Sequence, residues 1–442
     1  MKITIIGGGS SIFVPLILRR IMVEKSLEGC TVSLMDIDSH RVQTMHSLAA
    51  ALIENEGSSV KVESTLDQRE ALTGANYVIT AISVGGMAAW ESDIEIPGRY
   101  GVFMYIADSL GPGGIFRAFR NIPVLHSVCR DLAEVSPNAM VLNYTNPATA
   151  SSYAMGSVAE VRSLGLCTGT RYPRDAHWLA ELAGVAAEDV AVPVPVAGLN
   201  HCTAITEVRL KDGTDLLPVI RARSTEPVMN WIIDTWGVLP YLWWHWTEFF
   251  PQLQKLEEPY AGRAQGLAMR HGRRIYVMEE QRQLAQSWEE LARRWAEPEH
   301  HDEAALANLP KGPQDEGIEV VDVITAIVEN RNEVFVVIAE NEGAIGNMPS
   351  HAVVEVPAVV NTYGIHPLRV GELPEALAAH MRQHSTVQEL TAQAALTGDR
   401  NLALQVFLLD PLLEATLDTD ETARLLDEML AANAEYLPQF SS

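Results

Sequence analysis

The first eleven residues, MKITIIGGGSS, constrain this chain more than any other stretch. Lys2 to Ile6 is a short β-branched run of the kind that forms a buried parallel strand. Gly7 to Gly9 then turn the backbone, Ser10 is placed to help cap, and IFVPLILRRIM reads as a helix. A strand, a glycine turn and a helix N-terminus make a pyrophosphate cradle, because free backbone N–H groups and the helix dipole face the anion. Asp36 stands 27 residues after Gly9, at the end of the run Thr31 to Leu34. A carboxylate at that strand end meets an adenosine ribose, which favours NAD over NADP. Ile12 replaces the third glycine of GxGxxG, so the reading rests on the order strand, turn, helix, strand, acid.

The same alternation continues. A helical pattern follows Asp36, with Ser39 as cap and Gly57 as stop, and strands are expected at Val60 to Glu63, Tyr77 to Ser83, Ala139 to Asn143 and Leu164 to Cys167. Strands separated by helices predict an α/β fold with a doubly wound parallel sheet. Ligands of such sheets bind beyond the carboxyl ends of the strands. There the chain places Ser83 with Gly85 and Gly86, then NYTNP at Asn143 to Pro147, then Cys167. The loop Asp108 to Arg120 is rich in glycine, with helix resuming at Ile115, and reads as a segment folding over the nicotinamide or substrate.

Further on, AVPVPVAGLNHCTAITEVRL is a strand-turn-strand pattern with Asn200 and His201 at its middle. The aromatic stretch Pro227 to Leu253 reads as core, with sugar binding or helix packing as its alternatives, and Glu297 to Glu316 as a polar surface loop whose His300 and His301 are assigned no function. A largely helical tail runs from Pro374 to near Leu437. Residues 1–195 are expected to form the NAD-binding domain and residues 196–442 a mixed α+β substrate domain that completes the metal site and the oligomer.

With 32 Lys and Arg against 57 Asp and Glu, the net charge of −25 disfavours nucleic acid and anionic membranes as partners. No apolar run reaches membrane-span length and the N-terminus is a strand, so a cytoplasmic protein without signal peptide or anchor is expected. Four scattered cysteines without CxxC spacing argue against a disulfide framework and a zinc ribbon. Cys167 and His201, each at the end or bend of an extended segment, are candidate ligands for a divalent transition metal. Cys202 is the competing thiol, but on a strand it points opposite to His201.

Seven ordered stretches resemble glycoside hydrolase family 4, the NAD- and metal-dependent glycosidases, over nearly the whole chain. They are KITIIGGGS at Lys2 to Ser10, LMDID at Leu34 to Asp38, LGPGGIFRAFRNIP at Leu110 to Pro123, VLNYTNP at Val141 to Pro147, GLC at Gly165 to Cys167, GLNH at Gly198 to His201, and VVEVPAVVN with GIHPLRVGELP. The resemblance implies a Rossmann-type fold like that of lactate and malate dehydrogenases, a homodimer or homotetramer, and a glycoside as substrate. It implies NAD held by Gly7, Gly9, Ser10, Asp36, Ser83 and Asn143, and a divalent metal, manganese the expected one, held by Cys167 and His201. Asn143, closing a strand beside the cofactor, has a structural role as its alternative. The implied reaction oxidises C3 of the sugar, deprotonates C2, eliminates the aglycon, adds water and re-reduces C3, an exception to two-carboxylate hydrolysis. Asn146 matches the family asparagine near the substrate hydroxyls and the metal.

Three positions depart from the family pattern. Trp90 replaces an arginine found in members acting on 6-phosphosugars, which points to an unphosphorylated hexoside or hexuronoside. Thr168 follows the metal cysteine where His or Asp helps protonate the leaving group, and a hydroxyl cannot act as that acid near neutral pH. Arg171, Asp175 and His177 lie just downstream, with none singled out. Phe249 stands where a family segment has Tyr, leaving Tyr241, His245 and Glu248 as candidate bases. Two other functions compete: an NAD-dependent sugar dehydrogenase without hydrolysis, and a non-catalytic sugar or NAD sensor.

Overall fold

The computed structural model describes residues 1–104, 106–172, 176–255 and 318–441, with isolated positions between 279 and 290. Asp175, His300, His301 and the expected polar loop of residues 297–316 lie outside the described residues. The strands are β1 (Lys2–Ile6), β2 (Thr31–Met35), β3 (Lys61–Thr65), β4 (Tyr77–Thr80), β5 (Met140–Asn143), β6 (Arg162–Gly165), β7 (Val196–Leu199), β8 (Cys202–Ile205), β9 (Leu239–Pro240), β10 (Glu333–Glu340), β11 (Val353–Asn361) and β12 (Gly364–Pro367).

The first six strands pair in parallel in the order β3-β2-β1-β4-β5-β6, the doubly wound arrangement expected from the sequence. Period-2 alternation sorts their side chains to two faces. Ile3, Ile5, Tyr77, Ile79, Met140 and Leu142 pack with the helices Val14–Val23, Ser39–Glu56 and Val320–Glu329. On the other face, Ile6, Val78 and Val141 meet Leu125, Val128, Cys129 and Leu132 of the helix Gly111–Val135.

The sheet does not stop at β6. It continues through antiparallel pairings as β6-β10-β11-β7-β8-β9, with β12 on β11, so both halves of the chain share one twelve-stranded sheet among the described residues. The C-terminal helices close over the helix Gly111–Val135, burying Phe116 and Phe119 against Val406, Phe407, Leu425 and Leu426. No described helix is long and apolar enough to cross a membrane.

Local chemistry corrects two expectations. Asp38, not Ser39, caps the helix Ser39–Glu56, because its carboxylate accepts from both His40 N and Arg41 N; such a cap contributes about 1 kcal/mol. Gly57 ends that helix in the left-handed conformation, as expected. The glycine-rich stretch after Asp108 is mostly helix rather than loop: the helix begins at Gly111, and Pro112 in its first turn needs no hydrogen-bonded N–H.

Candidate active site

Gly7 leaves β1 with φ +92°, and a Cβ there would lie 2.3 Å from the Ala81 carbonyl oxygen. Only glycine permits that approach. The N–H groups of Gly7 and Gly8 both donate to Met35 O at 3.0 and 2.7 Å, while Gly9 N donates to Asp36 Oδ2 at 2.9 Å. Asp36 thus sits at the carboxyl end of β2 and is braced by the turn itself. Ser10 Oγ accepts from Phe13 N at 3.3 Å, ordering the turn that enters the helix. Ser83 lies beyond β4 in a turn closed by Gly86 N donating to its carbonyl at 3.0 Å. Asn143 is fully buried: it accepts from Thr80 Oγ1 at 2.6 Å and Thr145 N at 2.9 Å, and donates to Thr145 O at 3.0 Å. Its carboxamide is consumed in the framework that shapes the strand ends.

The second pole comes from the β7–β8 hairpin. Its two-residue turn is Asn200–His201, with His201 at φ +69°. The His201 ring is held from one side, Nδ1 lying 2.9 Å from Ser109 Oγ and 3.6 Å from Asp108 Oδ1. Beneath the turn, the register of β11 on β7 sets Glu355 opposite Gly198. Glu355, 1% exposed, accepts from Asn200 Nδ2 at 3.1 Å and from Thr203 Oγ1. Cys167, half-buried just past β6, accepts from Gly169 N at 3.4 Å and is also bonded by the Asn200 side chain. Burial, and then the charge of Glu355, push its thiol up to about 12. Asn200 therefore ties Cys167, Glu355 and the His201 turn into one cluster, and its Oδ1 is buried without a partner among the described residues. Cys202 is buried in the core with Leu199 and Trp246.

Asn146 joins this cluster through Asp108, donating from Nδ2 to Asp108 Oδ2 at 2.8 Å, and its own carbonyl accepts from Asn121 Nδ2 at 2.9 Å. Ser109 Oγ donates to Asp108 Oδ1 at 2.8 Å. Burial opposes the charge of Asp108, but His201, Arg117 and His245 around it outweigh that and hold its carboxyl below the usual range. His245 stacks on His201 with ring centroids 4.1 Å apart, and its Nδ1 is 3.9 Å from Glu248 Oε2. Burial, then the neighbouring His201, lower its pKa. Glu248 Oε1 accepts from Ile106 N at 2.8 Å and Ala107 N at 3.0 Å, fixing the turn that presents Asp108.

The remaining candidates are held by other partners. Tyr241 donates to the Arg171 carbonyl and stacks on Trp178 at 5.1 Å; burial, then Glu319 and Glu355, raise its phenol. That environment works against deprotonation. Arg171 and His177 are exposed, Arg171 lying 3.7 Å from Glu319, and Thr168 is half-buried. Phe249 is buried, its carbonyl held by His380 Nε2 at 2.7 Å and His384 Nε2 at 2.9 Å. Trp90 is 6% exposed and donates to Ile106 O at 2.8 Å, and the Arg117 guanidinium stands 5.8 Å from its ring centroid.

Asp108, Ser109, Asn121, Arg117 and Glu355 were not among the residues expected to act. One signal pointed to the last: a lone acid in the otherwise apolar run VVEVPAVV. Burying a carboxylate within a strand is costly unless donors converge on it.

The sheet order and glycine turn define a Rossmann-type α/β fold in which a hairpin from the second half meets the strand ends of the first. Comparison with known proteins sharpens this. The profile described as family 4 glycosyl hydrolase matches residues 2–172, and that of the family's C-terminal domain matches residues 196–413. An alpha-galactosidase of Bacillus subtilis is 33% identical over 451 residues, covering 99% of each chain. An alpha-galacturonidase of Lachnoclostridium phytofermentans is 27% identical over 99% of this chain and 97% of its own. A 6-phospho-beta glucosidase from Thermotoga maritima, solved with manganese, NAD+ and glucose-6-phosphate, shares the fold at a TM-score of 0.79 and 23% identity, covering 99% of both chains. The chain belongs to family 4 of the glycosyl hydrolases.

Proposed function

We propose that this glycoside hydrolase cleaves an unphosphorylated hexoside or hexuronoside by transient oxidation at C3, with NAD in the Gly7–Asp36 cradle and a divalent metal, manganese, on Cys167 and His201. The observation that carries the reading is the convergence of Cys167 and the His201 turn on the buried Asn200–Glu355 pair at the strand ends. The residues fit both groups. The glycine turn leaves no room for a Cβ, and a thiol with an imidazole suits a transition metal that keeps open positions. Bound there, NAD+ would supply a hydride acceptor for C3 and the metal a Lewis acid for the sugar oxygens.

The chain's own side chains set the rest. Ser109 and Asp108 engage Nδ1 of His201, which leaves Nε2 for a ligand. Asn146, oriented by Asp108 and Asn121, is placed to bind sugar hydroxyls. His245, held neutral beside His201 and near Glu248, is the group best set to take the C2 proton. Tyr241, with its raised phenol, supports the Arg171 segment instead. Residues 1–195 would hold the cofactor, and residues 196–442 the substrate and the oligomer contacts.

Thr168 favours one competing reading, oxidation without elimination, because a threonine provides no acid for the leaving group. Turnover in D2O with NAD+ and Mn2+ separates the two. Hydrolysis with catalytic NAD+ and deuterium at C2 supports the glycosidase, whereas one NADH released per sugar, without exchange, refutes it.

A further inference from the structure

Arg117 lies in the second turn of the helix Gly111–Val135, just after the Asp108–Ser109 turn that braces His201. Among the described residues it has no hydrogen bond and no ion pair, although its Nε is buried. The residue as a whole is half-buried. The Trp90 ring lies beneath it, its centroid 5.8 Å from the guanidinium carbon. The other arginine on this face differs sharply. Arg120 is bound to Asp93 through both Nη atoms at 2.8 and 2.5 Å, to Asn433 Oδ1 at 2.8 Å and to Val84 O at 3.1 Å.

A guanidinium with a buried, unmatched donor loses hydration without gaining a partner. In a protein of net charge −25, a cation left unpaired next to the reacting centre stands out. Its influence reaches Asp108, yet no ion pair forms, and the Asp108 oxygens are already taken by Asn146 and Ser109. The free donors are therefore available to a bound sugar. Trp90 thus does not leave an uncharged wall: the positive charge comes from Arg117, on a different helix.

We infer that Arg117 is the specificity-determining residue for the glycon and that it takes the C6 carboxylate, making the substrate a hexuronoside. One planar guanidinium matches one carboxylate in a two-bond fork. A phosphate dianion in so acidic a protein calls for more than one cation, and Arg120 is fully engaged with its own partners. The inference rests on the glycosidase reading above.

The test uses the full-length protein loaded with NAD+ and Mn2+ and matched 4-nitrophenyl hexosides, hexuronosides and 6-phosphohexosides, in gluco and galacto forms and both anomers. The wild-type protein should show its highest kcat/KM on a hexuronoside. Arg117→Met should lower that value about 100-fold, as for loss of a charge-assisted pair, and lower the value on the neutral hexoside by a clearly smaller factor. Arg117→Lys should fall between, and it serves with Arg117→Gln if the Met variant does not fold. A wild-type preference for the neutral or phosphorylated sugar overturns the inference, as does an equal loss on all three. Calorimetric binding of galacturonate and galactose to the loaded protein separates this inference from the hydrolytic reading. Arg117-dependent binding of galacturonate without hydrolysis upholds the carboxylate site and refutes only the glycosidase mechanism.

Discussion

Replacing Arg120 with methionine should destabilise the protein severely and in a pH-dependent way. Arg120 and Asp93 are both essentially inaccessible to water, with side-chain exposures of 1% and 0%. The guanidinium makes four hydrogen bonds, and its removal strands the Asp93 carboxylate, the Asn433 side-chain oxygen and the Val84 carbonyl together. Breaking one partner of a buried pair costs about 3–5 kcal/mol, a large part of a typical stability of roughly 5–15 kcal/mol. Burial already pushes Asp93 up to about 6 against the opposing pull of Arg120, and without that arginine it rises further. A carboxyl whose pKa is higher folded than unfolded favours folding when protonated. Stability is therefore lost as pH rises from about 4, the unfolded value, through the folded pKa, at up to about 1.4 kcal/mol per pH unit. Urea denaturation of Arg120→Met should show a smaller penalty at pH 5 than at pH 8, the pH-independent part coming from the stranded Asn433 and Val84 oxygens. The double variant Asp93→Asn, Arg120→Met should recover most of the loss, because no buried charge remains. A penalty equal at both pH values, or a double variant no more stable than the single one, refutes the reasoning.

Three further outcomes are expected. Gly7→Ala forces a Cβ to 2.3 Å from Ala81 O at φ +92°, so NAD+ affinity measured by calorimetry should fall more than about tenfold, with a lower Tm. Because burial pushes the Cys167 thiol up to about 12 and a metal takes the thiolate, manganese affinity should rise about tenfold per pH unit across the neutral range, read by the paramagnetic resonance of free Mn2+; Cys167→Ala should abolish that slope. His384→Ala removes one of two imidazoles holding the Phe249 carbonyl at the end of the short helix that follows His245 and contains Glu248, and should cost about 1–3 kcal/mol of stability and lower kcat; His384→Gln, which keeps a donor, should recover part of both.

Most of what the chain declares locally survived folding. The run Lys2–Ile6, the Gly7 turn, Asp36 and the strands up to β6 follow from β-branching, alternation and glycine placement, all forces acting within a few residues. The misplaced cap shows the limit even there: Asp38 and Ser39 are both good caps, and only the observed turn, with Asp38 Oδ1 facing His40 N and Arg41 N, selects between them. The helical start at Gly111 was hidden for a related reason. Glycine and proline read as loop, but at a helix N-terminus neither lacks anything the first turn needs.

The sequence by itself determined the parallel half-sheet, the glycine turn at the carboxyl end of β1, and Cys167, Asn146 and His201 as residues at strand ends or bends. Each depends on short-range propensity and on a glycine or turn that few other residues can replace. Only the tertiary structure decided what surrounds them. It inserted β10 and β11 between β6 and β7, which brought Glu355 under a turn more than 150 residues away in the chain. It set Ser109 and Asp108 against His201 across 92 and 93 residues, and seated Arg117 on Trp90. Such pairings are fixed by sheet register and helix packing, whose energies are summed over many weak contacts at once. No single stretch of sequence carries them.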